Sequence, residues 1–164
     1  GNDKAIRLKE GLLSLDPAHC WLDVWAFERA CEEAKTASRS TVMEKAMKLY
    51  GGHFLAHDSD KLGAASKRDR LRNKFRSLIT SHCEHLEAAG EWNKAVQVLH
   101  QGLEIDTVAE QFYQHLMICH HRLGLESEVL RGYNQCSSVL NEALGIAPSS
   151  KTEELRAELV RPIE

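Results

Sequence analysis

Nine histidines and five cysteines are the side chains of this 164-residue chain with the most chemistry to offer. Three groupings bring them near one another: His53-x-x-x-His57 with Asp58, His82-x-x-His85 with Cys83, and the run Cys119-His120-His121. Zinc needs three or four such ligands converging on a tetrahedral point. On a helix His82 and His85 share a face, yet no second pair at matching spacing completes a set. His82 also falls in an apolar arc, where a hydrogen-bonded core histidine is the simpler reading. No metal and no other cofactor is expected. Nucleophilic catalysis would need Cys, His and a carboxylate converging in a pocket; the residue types occur without any local signature. Gly51-Gly52 lacks the following Lys-Ser/Thr of a phosphate loop, and no Gly-x-Gly-x-x-Gly is present. No catalytic residue stands out. The chain reads as a binding module and not an enzyme.

The run from Lys67 to Arg76 has six cations against one acid. At about 100° per residue, Lys67, Arg70 and Lys74 lie on one side of a Leu71/Phe75 arc, with Arg72 and Arg76 on the other. A split arrangement suits a solvated helix whose cations flank a buried face better than a stripe tracking phosphates. Lys67, Arg70 and Lys74 remain a candidate basic patch for an acidic protein or for DNA. Arg68 falls near the arc itself and is expected to pair with a carboxylate such as Asp23 or Glu28. The net charge of −3 gives no global reason for nucleic-acid binding. Five widely spaced cysteines without Cys-x-x-Cys argue for buried thiols in a reducing, cytoplasmic compartment. No apolar run approaches the roughly 20 residues of a membrane span.

The elements that hold these residues are helices. Gly90-Glu91-Trp92-Asn93-Lys94-Ala95 recurs 34 residues later as Gly124-Leu125-Glu126-Ser127-Glu128-Val129. That is the period of the tetratricopeptide repeat, in which antiparallel helix pairs stack. Apolar periodicity predicts a helix from near Leu22, with Val24, Phe27, Ala30, Cys31 and Ala34 on its stripe. A second is capped by Ser40, with Val42, Ala46, Leu49 and Tyr50 inward. A polar loop follows over 53–63, and then a long helix from about Ala65 to Ala89. Helices over 92–103, 112–123, 125–144 and 150–160 complete a set of seven, the fifth of them (112–123) opened by a Thr107-x-x-Glu110 capping box. The fold class is all-α: a tetratricopeptide-like stack of antiparallel helix pairs with a short N-terminal β-hairpin.

That hairpin is Ala5 to Leu8 and Leu12 to Leu15 around Gly11, followed by a turn at Asp16-Pro17-Ala18-His19. Two strands alone are marginal in water. Residues 1–20 are therefore expected to be the edge of a preceding domain with its linker, and 21–164 the helical domain. The opening Gly1-Asn2-Asp3, without methionine, fits a piece of a larger protein. First helices line the concave face of repeat stacks. His82, Cys83, Tyr113, Gln114, Met117, His120 and His121 are the candidate partner-binding residues there. Trp21, Trp25 and Trp92 read mostly as core, with Trp25 at the margin of its stripe.

Several segments resemble a known family. Leu22-Asp23-Val24-Trp25-Ala26-Phe27-Glu28 is similar to the opening of the bacterial transcriptional activator domain, and Leu49-Tyr50-Gly51-Gly52-His53-Phe54-Leu55 to its "LYxGxFL" segment. Arg68-Asp69-Arg70-Leu71, Glu110-x-x-Tyr113-x-x-Leu116-Met117 and Leu144-Gly145-Ile146-Ala147-Pro148-Ser149 continue it in the family's order. The family's tryptophan before Arg-x-Arg-Leu is missing, and its Asp-Pro at the second repeat boundary is Asp106-Thr107. The resemblance implies the oligomerisation or effector domain of a cytoplasmic transcriptional regulator that follows a winged helix-turn-helix. Its partners would be another copy of itself or RNA polymerase, with DNA reached only through the absent N-terminal domain. The alternative is a generic tetratricopeptide interaction module unrelated to transcription.

Overall fold

The computed structural model describes residues 3–36, 40–55 and 64–160. His57, Asp58 and most of the loop expected over 53–63 lie outside them. The chain divides into two units, Gly1–Gly51 and Gly52–Glu164.

In the first unit a short 3-10 turn leads into β1 (Ile6–Lys9), which pairs antiparallel with β2 (Leu12–Leu15). The register pairs Lys9 with Leu12, so the loop is only Glu10-Gly11. Both residues have positive φ, 53° and 77°, the backbone of a tight hairpin turn whose twist suits the strands. Then come α1 (Asp23–Thr36) and α2 (Ser40–Leu49), packed on each other. Phe27, Ala30, Cys31 and Ala34 close against Met43, Ala46, Met47 and Tyr50, with the Phe27 and Tyr50 rings 5.0 Å apart. The inward face of α2 thus differs from the expected one. Val42 and Leu49 are only half-buried, because 43, 46, 47 and 50 form the i, i+3, i+4, i+7 stripe that meets α1.

The second unit holds α3 (Ala64–Ala88), α4 (Trp92–Ile105), α5 (Glu110–Arg122), α6 (Glu126–Leu144) and α7 (Ser150–Leu159). Each of α3 to α6 packs on the next, and α7 lies against α5 and α6. The helix pairs recur as the sequence period predicts, and the ends of α3 and α5 show why. Gly90 and Gly124 both adopt φ +72°, which a side chain would oppose. Glu91 N–H then bonds Leu86 O at 2.8 Å and Leu125 N–H bonds His120 O at 2.9 Å, satisfying carbonyls left over by each helix. Five residues on from each glycine, Ala95 and Val129 are fully buried. Leu71, Phe75, Leu78 and Ile79 of α3, Leu99 of α4, Phe112, Leu116 and Met117 of α5 and Leu140 of α6 fill the core. Helices α4 and α5 approach closely at Gly102, where a Cβ would lie 3.0 Å from the Phe112 ring.

One helix start departs from the sequence reading. Thr107 does not cap α5, whose N-cap is Ala109 with no side-chain cap bond. The Thr107 carbonyl accepts the Tyr113 hydroxyl at 3.0 Å, and Glu110 is turned toward α7.

Candidate functional site

The chemistry-bearing side chains are distributed between the two units, and most are committed to holding helices together. Of the candidate concave-face residues, His82, Cys83, Tyr113, Gln114, Met117 and His120 are buried, and only His121 is half-exposed. They pack between helices and offer no open surface in this chain. Helix α5, which carries five of the seven, is packed against α4, α6 and α7. Two of them show how their polar groups are used. Gln114 Nε2 donates to Thr152 Oγ1 at 2.8 Å, and His121 Nδ1 lies 3.1 Å from Glu126. His120 is buried with no hydrogen-bond partner for Nδ1; burial pushes its pKa down, although the Glu128 charge works the other way.

The two metal-like groupings that lie within the described residues do not converge. His85 Nδ1 turns to Ser81 O at 2.6 Å, whereas Cys83 Sγ points to Ala95 O. Cys119 Sγ donates to Glu87 at 3.6 Å, beside a His115–Glu87 pair at 2.7 Å. Among the described residues no three His, Cys, Asp or Glu side chains are placed to share an ion. All five thiols are free. Burial drives the Cys83 thiol well up and those of Cys119 and Cys136 to about 12, so none of these three is a ready nucleophile near neutral pH.

The basic run is likewise largely structural. Arg76 makes a two-pronged pair with Asp106, Nε to Oδ2 at 2.7 Å and Nη2 to Oδ1 at 3.0 Å, and the Asp106 side chain is wholly buried. Arg68, expected to meet a carboxylate, donates to two carbonyls: Nε to Phe54 O at 2.8 Å and Nη2 to Leu55 O at 2.7 Å. A planar fork with several donors suits adjacent carbonyls as well as it suits a carboxylate, and spacing alone does not distinguish them. Arg72 reaches Asp69 at 3.7 Å. Lys67, Arg70 and Lys74 lie toward the surface of α3, each with contacts of its own.

At α7 a polar cluster unseen in the sequence does the docking. Glu110 Oε1 accepts the Ser149 N–H and the Thr152 hydroxyl, each at 2.6 Å. Burial acts to raise the Glu110 carboxyl, and the bonds from Thr152 and Ser149 outweigh it, leaving the pKa lowered. Tyr133 OH donates to Glu153 at 2.6 Å while Arg156 lies 4.6 Å over the Tyr133 ring.

The hairpin of the first unit is open on one face. Ile6 pairs with Leu15 and Leu8 with Leu13, so four aliphatic side chains share one face of the hairpin. They are 58%, 44%, 72% and 74% exposed, respectively. Trp21, read as core, is 71% exposed; it precedes α1 and so escapes that helix's packing stripe. The hairpin is fastened by Asp16, a buried carboxylate that the sequence offered only as a turn residue. It takes Arg7 Nη2 at 2.5 Å, His19 Nδ1 at 2.8 Å and the Ala18 N–H at 3.0 Å. The Ala18 N–H and the His19 ring hold its carboxyl below the usual range.

Helix pairs that spend their polar groups on one another, in a chain that also carries an apolar two-stranded hairpin, define a helical-repeat module. Residues 22–160 match the bacterial transcriptional activator domain, and the chain belongs to that family. It is also 25% identical over 157 residues to a protein of Streptomyces peucetius named regulatory protein DnrI, a match that covers 92% of this chain and 57% of that protein. The chain thus spans little more than half the length of that relative. No helix of the described residues is long and apolar enough to cross a membrane.

Proposed function

We propose that the chain is the regulatory and oligomerisation part of a cytoplasmic transcriptional regulator and performs no catalysis. Residues 1–20 are then the last strands and linker of a winged-helix DNA-binding domain, and 21–164 the helical domain behind it. The observation that carries this reading is the hairpin's open face, Ile6, Leu8, Leu13 and Leu15. An isolated two-stranded hairpin with an uncovered apolar face is marginal in water and gains its stability from a third strand or a helix laid over it. An upstream winged helix supplies both.

The mechanism is transmission. The helical units pair subunits or touch RNA polymerase, and the Asp16 clamp makes the hairpin answer to the segment that leads into α1. The basic residues Lys67, Arg70 and Lys74 supply a secondary contact with an acidic protein. DNA is reached only through the upstream domain.

The test is a binding titration against a direct-repeat DNA site by fluorescence anisotropy. A longer protein carrying the upstream segment is expected to bind specifically, and the 164-residue chain is not. Tight, sequence-specific binding by the short chain alone would overturn this division of labour. Light scattering checks the pairing: a strict monomer at high concentration removes self-association from the reading.

A further inference from the structure

Helix α1 has two apolar faces. One, with Phe27, Ala30, Cys31 and Ala34, is buried against α2. The second carries Leu22, Trp25, Ala26 and Arg29 at i, i+3, i+4 and i+7, which at about 100° per residue places it well round the helix from the first. It is not packed away. With the segment from Pro17 to Trp21 it walls a groove of about 650 Å³, and a recess of about 160 Å³ adjoins it behind Trp21. Pockets that hold small organic ligands run from about 300 to 1,000 Å³.

The lining of the larger groove is selective in its chemistry. Two indoles, Trp21 and Trp25, supply flat surfaces, and the charged or chargeable side chains are Arg29 and His19, with no carboxylate among them. Asp16 occupies Nδ1 of His19, which leaves Nε2 as the ring nitrogen available on the groove wall. A guanidinium beside an aromatic surface is the usual receptor for a flat molecule that ends in an oxyanion.

We propose that this groove binds a planar aromatic anion, its ring against Trp21 and Trp25 and its carboxylate on Arg29. The site stands on the cavity's own chemistry, independent of the role proposed above for the chain. It also has a physical line to the hairpin. The carboxylate that orients His19 on the groove wall is the one that holds Arg7 of β1.

Isothermal titration calorimetry of the 164-residue chain with 2-naphthoate, and with 2-naphthalenemethanol as its uncharged counterpart, tests the site. The acid is expected to bind with a Kd below about 1 mM and at least about tenfold more tightly than the alcohol. Arg29→Gln should bring the acid down to the level of the alcohol, and Trp21→Ala should abolish both. Trp21 is largely exposed and Arg29 lies at the surface, so both variants should keep the parent circular dichroism and Tm. No binding, or binding indifferent to Arg29→Gln, overturns the proposal. Binding by the short chain that is lost in a longer protein carrying the upstream segment also overturns it, and shows the groove to be a domain contact.

Discussion

The two units solve the same packing problem in opposite ways. Among the described residues of Gly52–Glu164, buried and half-buried charges are largely spent inside the unit: Arg76 with Asp106, Glu87 with His115, Glu110 with Ser149 and Thr152. In Gly1–Gly51 the apolar side chains of the hairpin and Trp21 stay in water, while one carboxylate, Asp16, gathers the polar groups. Closed surfaces stabilise, and open ones are available for contact. The contrast teaches that polar pairing closes the helices of the second unit, whereas the hairpin of the first leaves an apolar face uncovered.

Arg76→Met probes the closed unit at its most sensitive point. It leaves the Asp106 carboxylate buried without a counter-charge, and the expected loss is about 3 kcal/mol or more in urea unfolding. Adding Asp106→Leu should recover much of that loss, since an apolar pair needs no compensation. A single variant that unfolds like the parent would show that the pair is dispensable.

Glu110→Gln attacks the docking of α7, whose only buried side chain is Thr152. A weakened hydrogen-bond cluster should cost about 1 kcal/mol and raise hydrogen exchange selectively in residues 150–159. The pH dependence follows from the lowered carboxyl. The stabilisation is complete at neutral pH and is lost as pH falls from the ordinary 4.5 through the lower folded-state value.

His120 gives a smaller handle of the same sign at higher pH. Its folded-state pKa lies below 6.5, so above 6.5 it is neutral folded or unfolded and contributes nothing to pH dependence. As pH drops below 6.5 the unfolded chain takes up the proton first, and stability declines until the folded-state value is reached. His120→Leu should flatten that part of the urea-midpoint profile; an unchanged slope would show that the ring titrates as if exposed.

Leu13→Ser should scarcely register here, within about 0.5 kcal/mol, because Leu13 is exposed in this chain. In a longer protein that covers the hairpin the same change is expected to lower Tm clearly. An equal, negligible effect in both would mean that the face stays open.

The helices were legible because their signals are local and periodic: two glycine turns 34 residues apart, and apolar stripes whose spacing matched the observed elements to within one or two residues at most ends. The hairpin was legible from Gly11 between two aliphatic runs. What the sequence concealed depends on encounters between distant positions. Glu110 sits three residues after a threonine, the pattern of a local cap, yet it serves a helix 39 residues away. Asp106 looked like a departure from a family motif until Arg76, 30 residues earlier, closed on it. The burial of the candidate concave-face residues was hidden for a related reason. Periodicity tells which side of a helix faces inward but not whether a neighbour fills that side.

The measurement that bears most directly on the contrast between the units is hydrogen exchange of the hairpin amides, Ile6–Lys9 and Leu12–Leu15, in this chain and in a longer protein carrying the upstream segment. Fast exchange in the short chain and strong protection in the long one is the expected result. Equal exchange in both would contradict the assignment of the hairpin as the seat of an upstream domain.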